Sequence, residues 1–277
     1  IASKESNTGY GVSPQAVISQ IVQDIENLSR SPTEDTVLAI GVGAAGQVDS
    51  TTGVIRASSN LGWKNVALKK ELEQSLSMPV LVINDVQAAA WGEWKHGAGQ
   101  GASDMACLFV GTGIGGGIIS RDSLLSGSSG SAGEFGHTVI DRNGPLCRCG
   151  RRGCLEAFAG GWAIASRARK AVTKDPEIGA NLLSLANGLC ENITAATVSQ
   201  AAQKGDPLAH LIVIETGEAL SLGVASLVNT FNPKIVVLGG GVIEGLPELI
   251  DIVKEQVSRH ALPSAVEGLS IQKATLK

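Results

Sequence analysis

Residues 79–94 read PVLVINDVQAAAWGEW, an apolar run that passes directly into a helical one. Val80 to Ile83 is short, unbroken and rich in β-branched side chains, the pattern of a strand covered on both faces. Pro79 to Asp85 is therefore a buried strand, and Val86 to about Trp94 a helix. Asn84 and Asp85 fall at the strand's carboxyl end, where α/β sheets bind ligands. Either residue also suits the N-cap of the helix, and the two jobs are compatible. Asp85 is a candidate general base.

The same alternation extends in both directions. Upstream, Ser13-Pro14 opens a helix with apolar residues from Val17 to Leu28 at helical spacing, and TVLAIGVG (36–43) is a second buried strand. Val66 to Leu76 is amphipathic and helical. Downstream, GAGQGAS (97–103) reads as a hinge or linker, after which the pattern restarts. MACLFV (105–110) is a strand, GTGIGGG (111–117) a glycine turn and Ile118-Ile119 a return strand, a hairpin signature. Helices follow at about 161–172, 195–204, 207–230 and 246–260, with a strand at PKIVVL (233–238). Strand–helix alternation on both sides of residue 100 predicts an α/β protein in two lobes.

Bulk properties exclude several classes. Hydrophobic residues make up 43% and charged residues 17%, the balance of a globular chain. A net charge of −4 argues against a nucleic-acid partner. No uninterrupted apolar run approaches the roughly 20 residues of a membrane span, and IASKESNTGYG at the start is not a signal peptide. The first Met is Met78, so the expectation is a chain that begins inside a longer gene product. Three of five Cys lie within eight residues, which fits a metal site in a reducing cytoplasm better than a disulfide framework.

That cluster is EFGHTVIDRNGPLCRCGRRGCLE (134–156). His137, Cys147, Cys149 and Cys154 offer one imidazole and three thiolates, a complete tetrahedral shell for zinc with no open position, so the ion is expected to be structural. Gly150 and Gly153 allow the loop to wrap, and Arg148, Arg151 and Arg152 offset thiolate charge. The alternative is a loop of free thiols or a disulfide. Two glycine motifs match G-x-G-x-x-G. GVGAAG (41–46) runs into turn-like QVDSTTG rather than a helix, which rejects a dinucleotide fold. GTGIGGG could cradle a phosphate with its amides and the Thr112 hydroxyl, or be a plain hairpin turn. Gly239 to Gly241 could admit a flat ring against the backbone, or be an ordinary turn.

Together, GTGIGGG with SGSSGSAGEFGH, CRCGRRGCLE, VINDVQAAA and VVLGGGV resemble the ROK family of sugar kinases and sugar-responsive repressors, over almost the whole chain. The resemblance implies the actin-like ATPase (RNase H-like) fold, two α/β lobes with a central cleft: a smaller lobe at 1–102 and a larger one at 103–277 with the zinc loop at 137–154. It implies transfer of phosphate from ATP to the 6-hydroxyl of glucose or a related hexose, with Asp85 as general base. Asn60, Asn84, Asp85, Glu134, His137 and Glu156 would meet the sugar. Gly111, Thr112, Gly113, Gly115, Gly116, Gly239, Gly240 and Gly241 would meet ATP, with Mg²⁺ as its companion and zinc as the structural ion. A cytoplasmic homodimer is implied as well. The family's opening strand with a D-x-G-G-T phosphate loop is not seen before Ser13, nor its last helix after Lys277, which points to a fragment. The alternatives are a ROK-type repressor, an N-acetylhexosamine kinase, an inactive sugar-binding or scaffold protein, and a kinase domain fused behind another enzyme.

Overall fold

A computed structural model describes residues 3–6, 11–29, 37–58 and 60–276. It is α/β with mixed sheets, and the chain divides into two compact units. The first comprises residues 1–89 and Ser126–Ala132, the second Ala90–Leu125 and 133–277. This division differs from a boundary at 102. The glycine-rich stretch 97–103 is not a free linker: Ala98 N–H donates to the Glu93 carboxylate at 2.8 Å, and the Trp94 indole donates to Ala102 O at 2.8 Å. These bonds fasten it to the helix before it.

In the first unit, helix α1 (Pro14–Ser29) starts where expected, with Ser13 Oγ accepting from Ala16 N at 3.2 Å. Its buried Val17 and Ile18 join Val48, Ile55, Leu72 and Val82 in one core. Strand β1 (Ile40–Ala44) pairs in parallel with β5 (Val80–Asn84), in register from Ile40↔Val80 to Ala44↔Asn84. Thr36, the expected start of β1, lies outside the described residues. Between these strands lie β2 (Gln47–Asp49), β3 (Val54–Ser58), β4 (Trp63–Val66) and helix α2 (Leu68–Leu76). β2, β3 and β4 form an antiparallel sheet. The motif at 41–46 thus leads into a strand, not a helix. Helix α3 (Asp85–His96) follows β5 without a gap.

The second unit is built on a five-stranded sheet of β6 (Met105–Val110), β7 (Ile114–Ser120), β8 (Ser123–Leu124), β9 (Ile235–Gly239) and β10 (Ser270–Lys273). Its order is β10-β9-β6-β7-β8. β9 runs parallel to both β10 and β6, whereas β6, β7 and β8 are antiparallel hairpin neighbours. Around it stand α4 (Glu156–Ala159), α5 (Gly161–Lys174), α6 (Ala180–Leu185), α7 (Ala195–Gln203), α8 (Pro207–Phe231), α9 (Gly241–Gly245), α10 (Glu248–His260) and α11 (Pro263–Val266). By length and composition α8 is apolar enough to cross a membrane, despite Glu215 and Glu218 within it. Two-thirds of its apolar window is buried inside the protein, which makes it a core helix. Asp206 caps it, accepting from Ala209 N at 2.8 Å, and Asn232 ends it in the left-handed conformation.

Candidate functional site

In the first unit the parallel pair β1–β5 delivers Asn84 and Asp85 at its carboxyl end. Asn84 is the cap of α3: its Oδ1 accepts from Val86 N and Gln87 N, both at 3.0 Å. Its Nδ2 donates to Gly46 O at 3.0 Å and to Asp85 Oδ1 at 3.1 Å. An amide has two donors and two acceptor lone pairs, so Asn84 is fully used within the protein. Asp85 is exposed; its Oδ1 also takes Val86 N at 2.9 Å, and no described residue bonds to Oδ2. Asn60 is exposed in the turn joining β3 and β4. Gln87, which the sequence does not single out, is buried on the first turn of α3. Its Nε2 holds Gly130 O and Ala132 O, and so fixes the Ser126–Ala132 loop to this unit.

The second unit gathers four residues that could hold a metal ion. Glu134 is exposed and precedes a 3-10 turn (Phe135–His137) that ends on His137. The loop is closed by bridges Val139↔Cys154 and Leu146↔Arg152 and by Cys147 N donating to Arg151 O at 2.7 Å. Gly153 is required: its φ is +76°, and an added Cβ would lie 1.6 Å from Asp141 O. The four ligand atoms lie within 4.8 Å of one another. Cys147 Sγ stands 3.8 Å from His137 Nδ1, and Cys149 Sγ 3.7 Å from Cys154 Sγ. A disulfide would bring sulfurs to about 2 Å, whereas a zinc tetrahedron with bonds of about 2.3 Å has edges of about 3.8 Å. Distances and donor set both fit zinc. Burial pushes the Cys154 thiol up to about 12 and raises Cys147, while the Arg151 backbone N–H lowers the exposed Cys149.

Glu156, two residues past Cys154, stands half-buried at the start of α4. Its Oε2 accepts from Ile114 N at 3.0 Å and its Oε1 from the Trp162 indole at 3.2 Å. Gly113 makes room for it, since a Cβ there would fall 2.4 Å from Oε2. The glycine motif is a tight turn at 111–113 between β6 and β7, with the return strand beginning at Ile114 rather than Ile118. Gly111 O and Thr112 O accept from Gly161 N (2.9 Å) and Trp162 N (3.1 Å), which seats the turn on the start of α5. The amides of Thr112 and Gly113 have no protein acceptor among the described residues.

Gly111, Thr112 and Gly241 line one cleft of about 540 Å³, with Trp162, Gln200 and Leu246 among its other walls. Gly113 faces Glu156 instead; Gly115 and Gly116 lie within β7, and Gly239 ends β9 in the buried sheet. Gly240, at φ +90°, turns the chain into α9. The α7 contribution and Trp162 were not visible in the sequence. α7 reads as a packing helix, and nothing in the spacing joins an indole to a carboxylate six residues earlier.

The ROK family profile matches residues 3–276. The glucokinase of Halalkalibacterium halodurans is 38% identical over 245 residues, covering 88% of this chain and 73% of that protein. The xylose repressor of Caldicellulosiruptor bescii is 32% identical over 279 residues, covering 100% of this chain and 69% of that protein. A crystal structure of a ROK family glucokinase from Streptomyces griseus, in complex with glucose and AMPPNP, superposes with a TM-score of 0.82 at 35% identity, over 95% of this chain and 83% of that one. The fold is the actin-like ATPase fold of these neighbours, and with a profile that runs nearly end to end, the chain belongs to the ROK family.

Proposed function

We propose that this chain is an ATP-dependent sugar kinase that phosphorylates the 6-hydroxyl of glucose or a close relative, with Asp85 as general base. One observation carries the reading: Asn84 commits all its hydrogen-bonding capacity to capping α3 and holding Asp85 Oδ1, while Oδ2 has no partner among the described residues. A sugar alcohol is a weak nucleophile, and a positioned carboxylate takes its proton as the oxygen attacks. The sugar oxygen bonds to the γ-phosphorus, the bond to the β,γ-bridging oxygen breaks, and ADP departs. Phosphoryl transfer depends otherwise on positioning and charge stabilisation. The free amides at Thr112 and Gly113 suit phosphate oxygens, and the cleft beside them, with Gly241, suits the nucleoside. Mg²⁺ bound with ATP supplies further charge neutralisation.

Glu134, His137, Glu156 and Asn60 are assigned to sugar hydroxyls, and Asn84 to holding the base. Zinc on His137, Cys147, Cys149 and Cys154 is a structural clamp: His137 Nδ1 faces the thiol of Cys147, which leaves Nε2 for a hydroxyl. A cytoplasmic homodimer completes the reading. The test is phosphotransfer from ATP across glucose, mannose, fructose, allose, N-acetylglucosamine and N-acetylmannosamine, with product position read by NMR. Glucose 6-phosphate is the expected product. A second reading, a sugar-responsive regulator, is favoured by the repressor relative that spans this whole chain. Sugar binding without any phosphotransfer would select it.

A further inference from the structure

Trp162 joins the glycine turn, Glu156 and the cysteine loop of the second unit's candidate site. Its backbone N–H donates to Thr112 O at 3.1 Å, in the glycine turn. Its indole N–H donates to Glu156 Oε1 at 3.2 Å. The Arg148 guanidinium, from between two zinc-ligating cysteines, lies 4.8 Å over its ring, and the ring packs on the cluster of Cys147, Cys154 and Ala157. The same ring lines the 540 Å³ cleft beside Thr112.

We propose that Trp162 is a positioning residue: its indole fixes the Glu156 carboxylate in the orientation that receives the sugar. The inference rests on the reading of Glu156 as a sugar contact given above. Each carboxylate oxygen of Glu156 takes one N–H donor, the indole on Oε1 and Ile114 N on Oε2; the Cys147 Sγ also lies 3.9 Å from Oε1, and as a zinc-bound thiolate it has no proton to donate. Each oxygen keeps acceptor capacity for one hydroxyl. With both oxygens tethered the carboxylate cannot rotate, so the spare lone pairs have fixed directions. A polyhydroxyl ligand is selected by fixed directions, because a mismatched hydroxyl leaves a half-buried acceptor unpaired. Loss of the indole donor leaves a single tether, Ile114 N, about which the group can turn.

The test uses the whole chain with zinc bound. Trp162→Phe keeps an aromatic ring for Arg148 and the cleft wall and removes the indole N–H together with part of the ring area. Glucose affinity by calorimetry should fall about tenfold, the scale of a hydrogen bond to a charged group. The zinc-to-protein ratio should stay that of the parent. In a Glu156→Ala background the same substitution should change glucose affinity by less than about twofold, because the path through Glu156 is already cut. Unchanged glucose affinity in Trp162→Phe, or a full loss that persists without Glu156, overturns the inference. No glucose binding by the parent chain overturns the functional reading and this inference with it. If Trp162→Phe does not retain zinc, the parent chain carries the test. One indole N–H resonance should shift both with Glu156→Ala and on glucose titration, and a spectrum in which no indole responds to both overturns the assignment.

Discussion

Asn84 holds Asp85 by a hydrogen bond from its Nδ2 to the Asp85 Oδ1 at 3.1 Å, while the same amide nitrogen reaches back to Gly46 O at 3.0 Å. One side chain therefore joins the end of β5, the turn after β1 and the first residue of α3. The carboxylate is held at Oδ1 by this amide and by Val86 N at 2.9 Å, and its Oδ2 has no partner among the described residues.

Asp85→Ala should abolish most phosphotransfer while sparing sugar binding. General-base contributions run about 10²- to 10⁴-fold, so kcat should fall by at least about 10²-fold, with glucose affinity changed only a few-fold. Near-normal turnover in a variant that still binds sugar would remove Asp85 from its role.

Asn84→Ala should cost both stability and turnover. Loss of an N-cap typically costs about 1 kcal/mol, and the Gly46 tether is lost as well. A fall in the unfolding midpoint with kcat reduced roughly tenfold, at similar glucose affinity, is expected from a residue that positions the base. Stability loss with kcat intact would restrict Asn84 to capping.

Cys149 is the exposed member of the metal cluster, whereas Cys154 is fully buried. Cys149→Ser therefore removes a ligand with little loss of packing. The variant should bind less than one zinc per chain, and amides of residues 137–156 should exchange at least about tenfold faster, with the β6–β9 ladder unaffected. Uniform protection after metal removal would mean that the loop stands without the ion.

Asp49 gives a pH prediction in the first unit. Its carboxyl is held below the usual range by the Arg56 guanidinium, at 2.8 Å, assisted by the amides of Thr52 and Thr51. The native pKa lies below the unfolded one. The contribution is therefore present above the unfolded pKa and is lost as pH falls through the native value. The pair is solvent-exposed, so the effect on stability is small. Arg56→Ala should move the Asp49 midpoint upward in an NMR titration; an unmoved midpoint would shift the cause to the backbone donors.

Much of the architecture was legible because long apolar periodicities bind few alternatives. β5, β6, α3, α5, α7, α8 and α10 fall within a few residues of their expected places. The antiparallel sheet β2–β4 was missed. Its strands have only three to five residues, and exposed side chains interrupt their apolar positions: Arg56 and Ala57 in β3, Lys64 and Asn65 in β4. Such strands are stable only when paired, and pairing is not written in any one of them. The return strand β7 begins at Ile114 because Gly115, Gly116 and Gly117 pair with β6. Glycine there serves close packing, which local propensity reads as a turn.

The sequence by itself determined the alternation of strands and helices, the place of Asn84-Asp85 at a strand's end, and the candidate ligand set His137, Cys147, Cys149 and Cys154. These are local matters, set by periodicity and by the donor chemistry of neighbouring residues. Only the tertiary structure decided that Asn84 is saturated by protein partners, that Glu156 is gripped by Ile114 and Trp162, and that Gly111, Thr112 and Gly241 share one cleft. Those relations join residues up to 130 positions apart. A hydrogen bond between such residues depends on the packing of the elements that carry them, and no local pattern records that packing.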